Sequence, residues 1–207
     1  MPCVTIVEQW TFYRCFALTD VEFSKLEIIK IAAFYNCTSL RSINLTSVEI
    51  AEEWAFCDCT ALTDAKFGNK LRRIERGAFT DCRSLERITI PLKDGLITMD
   101  DIFMGCENLK HVDLVEGALH ETIDALLLED WRNDMNKEIE SINQILPNAD
   151  AGYYDDDDED VVGEMAVAIR RWIRSVLRKI IHYQAEHQHL LNEAGSTLHH
   201  ALPHDIV

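Results

Sequence analysis

The sequence lacks an apolar run long enough to span a bilayer, for which about 20 consecutive residues are needed. Its N-terminus, Met-Pro-Cys-Val-Thr-Ile-Val-Glu, has no basic flank before an apolar stretch and therefore shows no signal peptide. Basic residues are also scarce, because 20 Lys and Arg stand against 36 Asp and Glu, a formal net charge of −16. These absences disfavour nucleic-acid and membrane partners. They predict a cytoplasmic protein, or a secreted one if residues precede Met1.

The motifs of the common enzyme classes are absent as well. The chain contains no G-x-S-x-G, phosphate-binding loop, dinucleotide fingerprint or H-E-x-x-H. Cysteine and histidine could form a nucleophilic pair, but most of the cysteines belong to a repeated pattern that predicts burial. Burial in apolar surroundings raises the pKa of a thiol and makes it unreactive. We therefore expect no enzymatic activity and no cofactor.

Two segments could be taken for metal sites. The segment Cys57-Asp-Cys59 lacks the second ligand pair that zinc sites usually have. The acidic run Asp155–Asp160 lacks the glycine and the final glutamate of a calcium-binding EF-hand loop. We interpret the acidic run as a solvated loop and predict no metal site.

The most informative feature present is a periodic pair of phenylalanine and cysteine. The two residues stand three apart, and the cysteines follow one another after 22, 22, 23 and 24 residues. A leucine comes three residues after each cysteine, and an alternating apolar pair follows it, as in a half-buried strand. The apolar residues three apart predict a helical or 3₁₀ turn before that strand. The pairs are Phe12–Cys15, Phe34–Cys37, Phe56–Cys59, Phe79–Cys82 and Phe103–Cys106.

A period of this size predicts stacked repeats. One unit cannot fold alone, because burying about four large side chains yields roughly 6–12 kcal/mol. Ordering the backbone costs roughly 1–2 kcal/mol per residue over about 22 residues. Five stacked units would share one continuous core over residues 3–117. The spacing of coils would permit disulfides between neighbouring cysteines, but we favour reduced thiols buried in that core.

The repeat resembles a known family. The unit reads A-F-x-x-C-x-S-L-x-x-I-x-I-P, most completely from Ala78 to Pro91. This is similar to the BspA-like leucine-rich repeat, and the resemblance covers roughly the first 117 residues. The whole chain, with its C-terminal tail, is similar to versions that occur in diatom-type algae. The resemblance implies a curved repeat protein used in adhesion, host contact or protein binding.

The predicted organisation is α+β, with two parts. Residues 1–117 form a leucine-rich-repeat solenoid of about five coils, whose first coil has no polar element before Val4 and Ile6. We expect either that the chain is a fragment or that this edge pairs with another chain. Residues 118–207 form an antiparallel helical hairpin with an acidic loop at 148–160. Apolar spacings of three and four predict its helices over 118–146 and 161–192. Because the first helix is acidic and the second is rich in arginine, we expect the two to face each other and to pack on the last coil.

The favoured hypothesis for function is a non-enzymatic scaffold that binds a protein partner. Residues that flank the buried columns of the strands should face outward on one side of the solenoid. One alternative is that the basic amphipathic helix 169–181 binds a membrane surface or is a calmodulin-type target. Another is a truncated paralogue without a specific role. The residues predicted to form the protein-binding face are Asp20, Glu22, Ser42, Asn44, Asp64, Lys66, Arg87, Thr89, His111 and Asp113.

Overall fold

The N-terminal part is a solenoid in which the first four coils each contribute a short strand to both of two sides, and the fifth coil contributes a strand to one side and a bridge to the other. The computed structural model describes residues 3–115, 126, 128–152 and 163–201, with side chains described through residue 193. On the first side the strands are β1 (Ile6–Val7), β3 (Ile28–Ile29), β5 (Ile50–Ala51) and β7 (Arg73–Ile74). On the second side they are β2 (Asp20–Val21), β4 (Ser42–Ile43), β6 (Asp64–Lys66), β8 (Arg87–Ile90) and β9 (His111–Leu114).

All strand pairs are parallel, and the register advances by one coil at each step. On the first side β1, β3, β5 and β7 are neighbours in that order, and a bridge from Ile74 to Ile97 adds the fifth coil. On the second side β2 pairs with β4, and β6 pairs with β8 and β8 with β9. A bridge from Leu45 to Phe67 joins these two groups. The predicted solenoid of about five coils is confirmed.

The phenylalanines of the repeat form one aromatic stack through the core. Their ring centroids are 5.0, 5.4, 5.2 and 5.9 Å apart from Phe12 to Phe103, and each ring is nearly parallel to the next. From Phe34 onward the rings are at most 1% exposed. Each coil therefore buries its ring between its neighbours, which is why a single unit would not be stable alone.

The cysteines form a second column beside the rings. The thiols of Cys37, Cys59, Cys82 and Cys106 each donate a hydrogen bond of 3.0–3.1 Å to the phenylalanine carbonyl of the preceding coil. All four are free thiols with no exposed surface. Each of these carbonyls also accepts the backbone N–H of the cysteine in its own coil, so the thiol is a second, weak donor that links neighbouring coils. The predicted burial of the thiols is confirmed at these four positions.

The segment between the two strands of a coil is a series of tight turns with hydrogen bonds of the 3₁₀ type, one of the two forms that the spacing predicts. Backbone hydrogen bonds join residues three apart, as from Cys59 to Phe56. In the third coil Trp54 and Asp58 both have left-handed backbones, with φ of 54° and 59°. Two such residues interrupt any regular helix in that coil. A regular 3₁₀ helix forms in the fifth coil, at Asp100–Phe103.

Among its described residues, the C-terminal part has two antiparallel helices, α1 (Glu129–Ile145) and α2 (Glu164–Ala201), with a 3₁₀ turn at Leu146–Asn148 between them. The Trp172 indole N–H donates to the Glu138 carbonyl over 2.9 Å, and the ring of Tyr183 stacks on Trp131 with centroids 5.2 Å apart. Near Glu129 the helix α1 therefore contacts the second half of α2, as a hairpin requires.

The boundaries of the hairpin differ from the prediction. Helix α1 begins later than residue 118, because Leu128 is extended (φ −101°, ψ 132°) and Leu126 is buried in the core outside any helix. Leu126 follows the apolar spacing, but its side chain occupies a core position outside the helix. Residues 116–125, 127 and 153–162 lie outside the described part of the chain, and so do the predicted domain boundary at 117 and most of the acidic loop. Helix α2 runs beyond residue 192 to Ala201.

The hairpin packs on the last coil of the solenoid. The Val112 N–H donates to the side-chain oxygen of Asn143 over 2.9 Å, and the Gly105 N–H donates to the Ala151 carbonyl over 3.1 Å. Lys179 pairs with the α1 acids Asp134 (2.7 Å) and Glu138 (3.1 Å), as expected from their charges.

Two arginines of α2 do not pair with α1 as predicted. Arg170 pairs with Asp100, and Arg174 pairs with Asp94 over 3.1 Å. Both acids belong to the solenoid, so α2 uses its basic side chains on two surfaces. The reason is that one side of α2 faces α1 and another faces the fifth coil.

Candidate functional site

The predicted binding surface lies on the second side of the solenoid, and we call it the strand face. Parallel register brings Asp20 beside Ser42, and it brings Lys66, Thr89 and Asp113 into one row. The structure places eight of the predicted residues on the exposed surface and leaves Asp113 half-buried. The strand face comprises Asp20, Glu22, Ser42, Asn44, Asp64, Lys66, Arg87, His111 and Asp113.

Thr89 is a correction to this set, because it is 8% exposed and so belongs to the interior. Its side chain is short and lies in register between Lys66 on β6 and Asp113 on β9. Longer neighbours on both sides cover a short side chain even where the strand alternation points it outward. The alternation of side chains along a strand predicts which way a side chain points, but it does not predict whether neighbouring side chains cover it.

Several strand-face side chains are tied to one another. The Ser42 hydroxyl donates to the Asp20 carboxylate over 2.9 Å, and Arg87 pairs with Asp113. The hydrogen bond and charge of Asp113 raise the pKa of Arg87. Asn44 accepts hydrogen bonds from both the backbone and the hydroxyl of Thr46. These contacts fix side-chain positions before any partner arrives, which lowers the entropy cost of binding.

A shallow depression lies at the N-terminal end of the strand face. Its volume is about 520 Å³, and three acidic or amide side chains and one lysine shape its polar wall. It is lined by Asp20, Val21, Glu22, Ser42, Ile43, Asn44, Thr46 and Lys66. A depression of this form can receive a protruding side chain of a partner but does not enclose a small molecule.

A second surface, not identified from the sequence, lies on the turns between the two strand sides. Trp10, Tyr13 and Trp54 are 59%, 42% and 37% exposed. The rings of Tyr13 and Tyr35 stack with centroids 5.3 Å apart, and the guanidinium of Arg14 lies over the Tyr13 ring at 5.1 Å. We call Trp10, Tyr13, Tyr35 and Trp54 the aromatic strip. The sequence does contain a signal for this surface, because Trp10 and Trp54 occupy the same position of the repeat. Residues at the same position of stacked repeats lie in one column of the surface.

The tryptophans of this strip occupy strained backbone positions. Trp10 and Trp54 have φ of 56° and 54°, and the same column holds Ala32 (51°) and Gly77 (57°). A left-handed backbone costs about 1–2 kcal/mol for a residue with a side chain, but it suits glycine. The Trp54 indole lies so close to Gly77 that a Cβ there would be 2.5 Å from its Cδ1. The fourth coil therefore needs glycine in this column, whereas the first and third coils carry a large exposed ring.

A cavity of about 430 Å³ opens at the C-terminal end of the aromatic strip. Burial and the neighbouring charge of Asp81 raise the pKa of Asp58. Burial raises the pKa of Tyr35 to about 12 and that of the Cys57 thiol to about 12, so both stay protonated near neutral pH. A protonated thiol is a poor nucleophile. It is lined by Tyr35, Trp54, Cys57, Asp58, Arg76, Thr80 and Asp81.

The basic helix of the alternative hypothesis is largely covered. In α2 the side chains of Ile169, Trp172, Ile173 and Val176 are at most 3% exposed. This apolar stripe packs in the common core of the hairpin and solenoid. Within the described residues, no helix is both long and apolar enough to cross a bilayer. Binding of α2 to a membrane surface or to a calmodulin-type protein would require the helix to leave these contacts.

Comparison with known proteins identifies the repeat. Residues 5–124 match the BspA type leucine-rich repeat region, with six copies of its repeat. This is more than half of the chain, and the chain therefore belongs to the BspA-type leucine-rich repeat family.

Two solved structures match part of the chain. A leucine-rich cell surface protein of Faecalibacterium prausnitzii matches 55% of the chain, with 26% identity and a TM-score of 0.50. The matched region spans 31% of that protein. The leucine-rich repeat protein of T. pallidum matches over 61% of this chain and 78% of its own, with 23% identity and a TM-score of 0.42. No curated protein matches the chain significantly.

Proposed function

We propose that this chain is a non-enzymatic repeat scaffold that binds a protein partner across its strand face. The observation that carries the proposal is the parallel register, which sets outward side chains in rows one coil apart over five coils. A solenoid of stacked repeats offers an extended surface in place of a closed pocket. Proteins of this repeat family commonly serve in protein interaction, which supports the same conclusion.

The charges of the strand face suggest how it selects a partner. Its first coils carry Asp20 and Glu22, and its fourth coil carries Arg87. A partner with the opposite order of charges would dock in one orientation, because like charges placed opposite each other disfavour the reverse. The side chains already held by Ser42 and Asp113 would contribute to this orientation without further ordering.

A triple charge reversal tests the proposal. The variant Asp20→Lys, Lys66→Glu, Arg87→Glu should lose the partners that the unchanged chain captures from its native cell, by at least about tenfold in quantitative mass spectrometry. A matched control reverses three exposed charges of the hairpin, with the same change in net charge: Glu140→Lys, Lys137→Glu, Arg171→Glu. Partners lost equally from both variants, or from neither, would contradict a site on the strand face.

The cytoplasmic location stays a prediction, and we propose it for direct test. The similar protein of F. prausnitzii is a cell surface protein. Fractionation of the native cell, with detection of the untagged chain, tests the location directly. Recovery in the extracellular or surface fraction would contradict it.

A further inference from the structure

The aromatic strip carries ring surface that the core does not use. Trp10 and Trp54 stand in a column where the backbone is left-handed, and in the fourth coil this column is glycine. Both rings remain exposed. Tryptophan and tyrosine are enriched at the centre of protein interfaces, where a rigid ring contributes large contact area.

The column already holds a guanidinium in one coil. The Arg14 guanidinium lies over the face of Tyr13 at 5.1 Å, a cation–π distance. Tyr13 stacks on Tyr35, whose other neighbours line the cavity one coil further on. The strip thus shows the contact that an incoming arginine would make in the cavity.

The cavity has an acidic group that no described cation pairs with. Arg83 pairs with Asp81 over 3.1 Å, and Arg76 pairs with Asp101 over 3.0 Å. Asp58 forms no ion pair within the described residues, although the charge of Arg83 acts on it at longer range, and its carboxylate accepts hydrogen bonds from Tyr35 and Cys57 beside Asp81. A cation entering between these groups would relieve the repulsion between the two carboxylates.

We propose that the cavity lined by Tyr35, Trp54, Asp58 and Asp81 binds an arginine side chain from a basic segment of a protein partner. Arginine fits better than lysine, because its planar guanidinium stacks on aromatic rings while it pairs with a carboxylate. Tyr13 and Trp10 extend the contact to residues next to that arginine. The net charge of −16 attracts a basic partner at long range. This inference deepens the proposed function by naming the partner's chemistry, but it does not depend on the strand face.

Peptide titration tests the assignment. The probes are acetyl-(Gly-Arg)₄-amide, acetyl-(Gly-Lys)₄-amide and acetyl-(Gly-Gln)₄-amide. Their binding to the chain is measured by calorimetry and by tryptophan fluorescence at about 0.15 M salt. We expect the arginine peptide to bind at least about threefold more tightly than the lysine peptide, and the glutamine peptide not to bind. Equal binding of the arginine and lysine peptides, or binding of the glutamine peptide, would overturn the assignment.

Two variants and one control locate the site. Asp58→Asn keeps the shape and removes the charge, and Trp54→Gly removes the ring at a backbone position that glycine accepts. Each variant should lower the affinity for the arginine peptide by at least about fivefold. The control Asp20→Asn removes the same charge from the strand face and should change affinity less than twofold. If Asp20→Asn weakens binding as much as Asp58→Asn, the peptide is attracted by total charge and the site is not specific.

The same peptides separate this inference from the proposed function. The strand-face triple variant keeps the cavity intact and should bind the arginine peptide as the unchanged chain does. If it captures no native partner yet binds the peptide, both proposals stand. If neither the unchanged chain nor any variant binds the arginine peptide, while the unchanged chain captures native partners that the strand-face triple variant loses, only the cavity assignment is overturned.

Discussion

The two ends of the solenoid differ in what covers them. At the C-terminal end, helices α1 and α2 lie on the fifth coil, and oxygens of Asn143 and Ala151 accept its backbone N–H groups. At the N-terminal end, Ile6 is 40% exposed, and Phe12 and Cys15 are only partly buried. The same repeat is therefore enclosed at one end and open to solvent at the other.

The direction of the hydrogen bonds explains why the C-terminal end needs a cover. In the turns, each coil donates backbone N–H groups to carbonyls of the next coil, as from Phe34 to Ala55 and from Phe56 to Ala78. In the turns the stack thus ends in donors at the fifth coil and in carbonyls at the first, whereas along the strand sides N–H groups also donate to the preceding coil, as from Arg41 to Thr19. A buried N–H without an acceptor costs about 1–3 kcal/mol, whereas an under-satisfied carbonyl is better tolerated. The hairpin supplies oxygens where donors would remain.

The largest expected difference between covered and open coils concerns the phenylalanine stack. Phe56→Ala removes a fully buried ring between two others and should lower the free energy of unfolding by about 3–5 kcal/mol. Phe12→Ala should cost about half as much, because this ring is partly exposed and stacks on Phe34 alone in the repeat column. Urea unfolding measures both, with the exposed Phe16→Ala as control. Equal losses at Phe12 and Phe56 would show that the first coil is as enclosed as the third.

Thiol reactivity compares the same coils without mutation. Burial raises the pKa of Cys82 and Cys106, so these thiols are both inaccessible and protonated. At pH 8 we expect Cys3 and Cys15 to be alkylated at least about 100-fold faster than Cys82, since the latter reacts only after the stack opens. Mass spectrometry of the labelled peptides gives the rates, and urea-unfolded protein gives the intrinsic ones. Simultaneous labelling of all thiols would contradict the stacked core.

The repeat was predictable from the sequence because its physics is local and recurrent. Phe56 and Cys59 recur with the same neighbours in every coil, and burial in one coil requires it in the next. The arrangement of thiols in the core follows from the same column. The start of α1 was not predictable in this way, because Leu126 keeps the apolar spacing of the predicted helix but lies outside it.

The binding surfaces were harder to predict, because they depend on neighbours that are not adjacent in sequence. Thr89 faces outward by alternation but is covered by the adjacent strands. Arg170 reads as a partner for the acids of α1, yet it pairs with Asp100 in the solenoid. The exposure of Trp54 depends on a left-handed backbone that its residue type disfavours. Each outcome follows from tertiary packing that the linear pattern does not encode.

Removing one acceptor oxygen from the helical hairpin tests whether the hairpin caps the N–H groups of the fifth coil. Asn143→Ala leaves the Val112 N–H without its acceptor and should lower the free energy of unfolding by about 1–2 kcal/mol. Hydrogen exchange at the Val112 amide should accelerate. Asn133→Ala, at an exposed position of the same helix, serves as control and should cost less than about 0.5 kcal/mol. If Asn143→Ala leaves both measurements unchanged, the hairpin covers the fifth coil by apolar contact alone.

The smallest expected effect concerns the ion pairs that join helices α1 and α2 of the hairpin. Hydrogen bonds from Lys179 and Tyr183 lower the pKa of Asp134, and hydrogen bonds from Ser175 and Lys179 lower that of Glu138. Because the folded-state pKa values lie below the unfolded ones, about 3.9 and 4.3, the stabilisation is complete above those values and is lost as pH falls through the folded ones. Urea midpoints from pH 7 to pH 3 should therefore fall more for the unchanged chain than for Lys179→Met.

The difference between the two curves should be at most about 1 kcal/mol, because the carboxylate of Asp134 is 42% exposed and solvent screens the pair. Arg178→Met removes a neighbouring exposed charge of α2 and should follow the curve of the unchanged chain. Parallel curves for Lys179→Met and the unchanged chain would mean that the hairpin is held by its apolar stripe and by the contacts of Arg170 and Arg174 to the solenoid. In that case the remaining acid response of the hairpin would come from its contacts to the solenoid, where the hydrogen bond from Arg174 lowers the pKa of Asp94.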